Sequence, residues 1–339
     1  MRICVVGAGS IGGLVGARLS ANGEEVTLVA RGPHFDAIRA RGLRIEMADG
    51  GTIVDTASRV VARIADAGPH DVVIIGVKAH QVAAAVGELG ALLHRDTMIV
   101  PMQNGIPWWY FQRHGGPHEG RHVESADPGG RIAAAVDPGR IVGCVVYPAA
   151  EISAPGVIRH IEGDRFPLGE IDGRDGVRVR ELAATFERAG LHAPVIEDIR
   201  SEIWLKLWGN LAFNPISALT HATLIDICQN PLARSLAINM MSEAQTIAEK
   251  LGARFRVPLE KRIAGAERVG QHKTSMLQDV EAGRATEVDA LLGSVRELGA
   301  LTGTPTPHID AVYACAKLLS TTIVAGGIRT RAAQITAKA

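Results

Sequence analysis

The chain has 339 residues, enough for two domains that each bury a core. Apolar residues make up 47% and aromatic residues 4%, so the core must be aliphatic. Lys+Arg and Asp+Glu number 36 each, a balance that gives no global field to draw in nucleic acid or an anionic membrane. Cys4, Cys144, Cys228 and Cys315 lie far apart and form no C-x-x-C pair, which reads as reduced, mostly buried thiols of a cytoplasmic protein. The opening "MRICVVGAGSIGG" is too short and glycine-rich for a secretory signal. No run of 18 apolar residues occurs, so no membrane span is expected.

The first part of the chain alternates strand and helix. "RICVVGAG" reads as a strand, "SIGGLVGARLSANG" as a helix stopping at Gly23, and "EEVTLVAR" as a second strand. A polar, Arg-rich stretch over residues 31–44 precedes "LRIEMADGGTIVD", which reads as a hairpin. "DVVIIGVKA" is a buried strand, "HQVAAAVGELGALL" a helix, and "TMIVPMQNG" a strand ending in a polar loop. Such alternation predicts a parallel sheet covered on both faces. Residues 107–130 break the pattern, with half of the tryptophans and His114, His118 and His122 at four-residue steps. Glycines and a proline interrupt those histidines, so a mobile loop is expected there and no metal site, with Trp108, Trp109 and Tyr110 either packing over the cleft edge or anchoring the loop to the body.

Further strands are expected in "GCVVYPAAEIS", "GVIRHIEG", "FPLGEI" and "LHAPVIED", with an amphipathic helix in "DGVRVRELAATFERAG". From about Ile199 the chain reads as helix after helix, broken near Pro231, Gly252–Pro258, Gly283 and Gly303–Pro307. The expected fold is α/β: a Rossmann-type domain over residues 1–197, then an all-helical domain over 198–339.

Gly7-Ala8-Gly9-Ser10-Ile11-Gly12 is G-x-G-x-x-G, following a strand and opening a helix. Gly7 permits the turn, Gly9 lets a pyrophosphate approach the backbone, and Gly12 lets the helix pack on the sheet. The helix N-terminus then offers N–H groups and a positive dipole end to phosphates. At the end of the second strand an acid would select NAD, and an arginine accommodates the 2′-phosphate of NADP. Arg31 stands there, with no acid before Asp36, so NADP(H) is the expected cofactor; a merely solvated arginine is the alternative. Lys78 ends its strand at the carboxyl edge of the sheet, where ligands bind in such folds.

In "IWLKLWGNLAFNPISAL", residues Lys206, Asn210 and Asn214 recur every four positions and form one polar stripe about 12 Å long if helical. Burying such groups without partners is costly, so a stripe facing a cleft is preferred over a wholly exposed one. Pro215 should kink the helix beside Asn214. An ammonium in a cleft can stabilise the oxygen of a carbonyl that receives hydride and then protonate it. Amides beside it can hold the substrate's polar groups.

"GAGSIG", "VKA", "QNG" (103–105), the K-x3-N-x3-N helix and "TSMLQDVEAGRATEVD" (274–289) occur in this order. Together they resemble the ketopantoate reductase (2-dehydropantoate 2-reductase) family, in the 6-phosphogluconate dehydrogenase-like superfamily. The resemblance covers almost the whole chain and implies NADPH-dependent reduction of ketopantoate to pantoate on the route to pantothenate and coenzyme A. It implies an active site between a Rossmann-type and a helical domain. Lys206 would be the general acid, and Asn104 would sit by nicotinamide and substrate. Asn210 and Asn214 would bind the substrate, Ser275 its carboxylate, and Glu287 its hydroxyl side while orienting the lysine. Arg31 and Lys78 would serve the cofactor.

The residues alone say less about Ser275 and Glu287, which lie 120° apart on a straight helix and need a break near Gly283 to converge. Thr286 is a candidate N-cap, and Glu287 then reads as a first-turn acid favoured by the helix dipole. Residues 107–130 follow Asn104 directly and could border the pocket, which leaves the 2-oxo acid open. A paralogue acting on another 2-oxo acid and a silent NADP-binding regulator are the alternatives. The small-molecule substrate is the expected partner, and apolar helix faces would suit a homodimer.

Overall fold

Ile3, Cys4, Val5 and Val6 are all buried because their strand lies in the middle of a parallel sheet. The computed structural model describes residues 1–330. Two compact units divide the chain, Met1–Ile203 and the part from Trp204 onward. In the first, β1 (Arg2–Val6), α1 (Ser10–Ala21), β2 (Glu25–Val29) and α2 (Gly32–Arg41) lead to the hairpin β3 (Leu43–Glu46) and β4 (Thr52–Asp55). Next come β5 (Arg59–Val61), β6 (Val72–Ile75), α3 (Ala79–Ala85) and β7 (Met98–Pro101). The sheet order is β5-β2-β1-β6-β7, every pair parallel, which is the 3-2-1-4-5 order of a doubly wound sheet. Burial on both faces accounts for near-continuous apolar strands such as Val72–Ile75.

After α4 (Arg131–Ala135), β8 (Val142–Cys144) pairs with β11 (Leu168–Glu170). Between them, β9 (Ala149–Ala154) and β10 (Val157–Glu162) join the first hairpin as a second sheet, β4-β3-β10-β9. This sheet packs on α1 so closely that a Cβ on Gly13 would lie 2.4 Å from Ile158 Cδ1. α5 (Val177–Arg188) buries Val179, Leu182 and Phe186 against the same core.

Three differences from the sequence reading have physical causes. The stretch 31–44 holds α2, which buries only Ala37 and Ile38 and so shows no helical period. "LHAPVIED" makes isolated bridges at His192 and Val195 and no strand; Pro194 between them has no N–H to give. Residues 107–130 are anchored turns: Trp108, Trp109, Tyr110 and Phe111 are buried. Arg200 donates to the carbonyls of Tyr110 (2.7 Å), Gln112 (2.8 Å) and Ile171. Glu119 accepts from the N–H groups of Arg113 and Gly115 at 2.8 and 2.6 Å. The aromatics thus fill the core of this unit. Among the described residues no group of three or more His, Cys, Asp or Glu could hold a metal.

α6 (Ile199–Thr220) carries the chain into the second unit. α7 (Leu224–Gln229), α8 (Pro231–Lys250), α9 (Leu259–Val269), α10 (Ser275–Glu281), α11 (Ser294–Thr302) and α12 (Pro307–Gly326) follow. The Trp208 indole of α6 donates to Met241 O at 2.7 Å and tilts over Phe255. α12 alone among the described helices is long and apolar enough to cross a membrane by length and composition. It buries Ile309, Val312, Ala316 and Ile323, and Asp310 and Lys317 pair with Arg296 and Asp289.

Candidate functional site

The glycine loop satisfies the steric demands of a phosphate cradle. Gly7 has φ +98°, and a Cβ there would lie 2.6 Å from Val77 Cγ1. A Cβ on Gly12 would lie 2.2 Å from Gly7 O, so α1 meets the loop only through a glycine. Gly9, at the N-cap of α1, is the opposite case: a Cβ would find nothing within 4 Å. The open side of the loop lies where a pyrophosphate would approach, and Ser10 and Ile11 begin the helix whose first N–H groups lack helical partners. Ala8 is buried, its N–H bonded to Val29 O at 2.9 Å. Arg31 is exposed and is the N-cap of α2, two residues after the end of β2. The residues present fit a dinucleotide: open backbone at the pyrophosphate position and a cation at the end of β2.

Lys78 is half-buried and caps α3. Its N–H donates to Gln81 Oε1 at 3.2 Å. Asn104 is half-buried in the loop after β7. Gln103 draws these two segments together, its Nε2 donating to Ile75 O and Val77 O at 2.8 Å each. "VKA" and "QNG", 26 residues apart in sequence, are therefore adjacent at the carboxyl edge of β6 and β7. The Gln103 side chain thus ties the "QNG" motif to carbonyls 28 and 26 residues earlier. His80 is an exposed residue at the start of α3.

On α6, Lys206 and Asn210 are half-buried and Asn214 is 6% exposed, so the wholly solvated stripe is excluded. The helix continues through Pro215 to Thr220, with the bond from residue 215 to Leu211 O necessarily missing. One turn before Lys206, the buried Glu202 accepts from Tyr147 Oη at 2.8 Å and Arg165 Nη1 at 2.6 Å. Burial, with the Glu202 charge beside it, pushes the Tyr147 hydroxyl far above its usual range. The guanidinium of Arg262, on α9, lies against Gly209, where a Cβ would be 2.3 Å from Nη2. That brings a second cation to α6 beside Asn210, which no pattern local to the helix could reveal.

Ser275 is the exposed first residue of α10, capped by Thr274. The expected break follows: Gly283 has φ +67°, and Arg284 N–H returns to Asp279 O at 2.8 Å. Glu287 is half-buried just before a π-helical turn at Asp289–Gly293. Thr286 is not the cap expected of it. Its Oγ1 has no partner and its N–H donates to Ser320 Oγ at 3.1 Å.

The chain matches two family models, ketopantoate reductase PanE/ApbA over residues 3–108 and its C-terminal counterpart over 198–320. It is 50% identical to a 2-dehydropantoate 2-reductase of Mesorhizobium japonicum, covering 94% of this chain and 98% of that relative. A 2-dehydropantoate 2-reductase of Pyrococcus horikoshii is 31% identical over 94% of this chain and 97% of the relative. The crystal structure of a candidate ketopantoate reductase from Ralstonia solanacearum superposes with a TM-score of 0.90 at 41% identity, covering 95% of this chain and 98% of that one. Likeness on this scale reaches both the glycine loop and the lysine helix, and the chain therefore belongs to the ketopantoate reductase family of NAD(P)-dependent oxidoreductases.

Proposed function

We propose that this enzyme reduces 2-dehydropantoate to pantoate with NADPH, in the synthesis of pantothenate and coenzyme A, using Lys206 as general acid. The polar stripe of α6 carries this reading, because a binding module needs the glycine loop but has no use for a half-buried lysine flanked by amides. The names of the relatives support the substrate. Arg31 at the end of β2, with no acid beside it, supports NADPH over NADH.

When bound, the reduced nicotinamide supplies a hydride to the carbonyl carbon. A lysine ordinarily carries its proton at neutral pH, so Lys206 can stabilise the charge on the carbonyl oxygen and then transfer a proton to it. Asn210 and Asn214 are assigned to holding the substrate, Asn104 to the nicotinamide and the substrate together, Ser275 to the substrate's carboxylate, and Glu287 to its hydroxyl side and the lysine. Gly7 to Gly12, Arg31 and Lys78 are assigned to the cofactor. For assembly we propose a homodimer through the exposed face of α12. There Ala311, Cys315, Leu318, Thr322 and Ala325 alternate four- and three-residue steps, as a helix seam requires.

NADPH oxidation with ketopantoate beside other 2-oxo acids, repeated with NADH, is the primary test. Lys206→Ala should lower kcat by roughly 100- to 10,000-fold while NADPH binding is retained. Unchanged turnover would remove the general-acid assignment. Turnover only on another 2-oxo acid would move the substrate and keep the mechanism.

A further inference from the structure

His34 lies in the first turn of α2, three residues after Arg31. Its ring is held from both sides. Gly156 N–H donates to Nδ1 at 3.0 Å, and Nε2 lies 2.9 Å from Ala8 O. A backbone N–H can only donate and a carbonyl can only accept, so Nδ1 carries the lone pair and Nε2 the proton. Burial favours this neutral form and holds the pKa of His34 down, against the bond to Ala8 O.

Ala8 is the second residue of the phosphate loop. Its N–H is bound to Val29 O and its C=O to His34. The C=O of Ala8 and the N–H of Gly9 share one planar trans peptide and point in opposite directions. Fixing the carbonyl toward α2 therefore aims the Gly9 N–H away from α2, at a residue beside which space is open, with nothing within 4 Å of an added Cβ. The other end of the latch is rigid as well. Gly156 has φ +77°, a Cβ there would lie 2.9 Å from Ala37 Cβ, and its carbonyl accepts from Arg44 N–H at 2.9 Å.

We propose that His34 is a positioning residue for the cofactor: it locks the peptide between Ala8 and Gly9 against the turn between β9 and β10, presetting a phosphate-binding N–H. The proposal rests on the cofactor reading above. It assigns His34 no contact with substrate or with the reacting atoms. Its effect falls on the pyrophosphate, which NADPH and NADH share, whereas the effect of Arg31 falls on the 2′-phosphate that NADPH alone carries.

The test is titration of NADPH and NADH into the wild type, His34→Phe, His34→Gln and Arg31→Ala. Wild-type binding comes first, and absence of binding there counts against the cofactor reading itself. Given binding, His34→Phe keeps the ring volume and loses both hydrogen bonds, and should raise the Kd of both nucleotides roughly tenfold or more. Its kcat at saturating NADPH and its KM for ketopantoate should stay within about twofold, because the acid is untouched. His34→Gln, which can donate and accept at once, should restore most of the affinity. Arg31→Ala should weaken NADPH alone. Equal nucleotide Kd values for wild type and His34→Phe, with only the melting temperature lowered, would reduce His34 to a structural residue and overturn the proposal. Should His34→Phe fail to fold, the ¹⁵N shifts of the wild-type ring decide: the proposal needs the Nε2–H tautomer at neutral pH, and an Nδ1–H ring overturns it.

Discussion

Gly9 and Gly12 stand three residues apart in one motif and make opposite demands. At Gly9 an added methyl group meets open space and φ is −73°, which any residue adopts. Gly9→Ala should leave the melting temperature nearly unchanged and weaken dinucleotide binding, since the methyl would occupy the side from which a pyrophosphate would approach. Gly12→Ala should lower stability by about 1–3 kcal/mol as well, because the new Cβ meets Gly7 O at 2.2 Å. Thermal melts beside nucleotide titrations would separate the two. Loss of stability in Gly9→Ala would show that the open space is illusory. Asp71 provides a pH-dependent test at the same scale. Burial raises its pKa, but the Arg2 backbone, the Arg2 side chain and His94 outweigh this and bring it from 3.8 to about 2. A depressed folded pKa stabilises fully above the unfolded value. That contribution should fade as pH falls from about 3.8 to about 2, and Asp71→Asn should flatten the acid limb of stability there.

Elements differ in how far local sequence specifies them. β1, β2 and β6 announce themselves because both of their faces are buried, and the glycine loop because its steric rules leave few substitutes. The K-x3-N-x3-N stripe was legible because helical periodicity turns spacing into a face. α2 was not, since its contribution to the core is two residues wide. His34, Gln103 and Arg262 were illegible for another reason: their partners are 122, 28 and 53 residues away, and no local pattern encodes such pairings. For the aromatic run at 108–111 the sequence left the cleft edge and an anchor to the body both open, because the residue that gathers its backbone, Arg200, lies 90 residues beyond Tyr110; burial of all four rings decides for the anchor. Replacing that side chain with leucine leaves three carbonyls without their donor. Arg200→Leu should lower the unfolding free energy by about 2 kcal/mol, read from the denaturant midpoint at constant m. A midpoint within error of wild type would mean that burial of the aromatics alone holds the stretch.

At the scale of the whole molecule, the four cysteines report on packing and assembly together. Cys4, Cys144 and Cys228 are buried, and burial pushes the Cys4 thiol up to about 12. Cys315 is exposed on α12. One thiol per chain should react quickly with a thiol reagent at low protein concentration, and three only after unfolding. If α12 forms the proposed seam, protection of Cys315 should grow with protein concentration, and Leu318→Glu should abolish it. Concentration-independent labelling would place any self-association elsewhere.

The second sheet has a consequence for synthesis on the ribosome. β10 pairs with β3, yet Val157 follows Leu43 by more than a hundred residues. At translation speeds of roughly 5–20 residues per second, that is on the order of ten seconds during which one edge of the β3–β4 hairpin has no neighbour. The Gly156 N–H that donates to His34 emerges equally late. The nascent Rossmann half thus passes through a stage with an open strand edge and an unlatched phosphate loop, a species suited to chaperone capture. A chain truncated before β10 should aggregate although it contains the entire parallel sheet from β1 to β7.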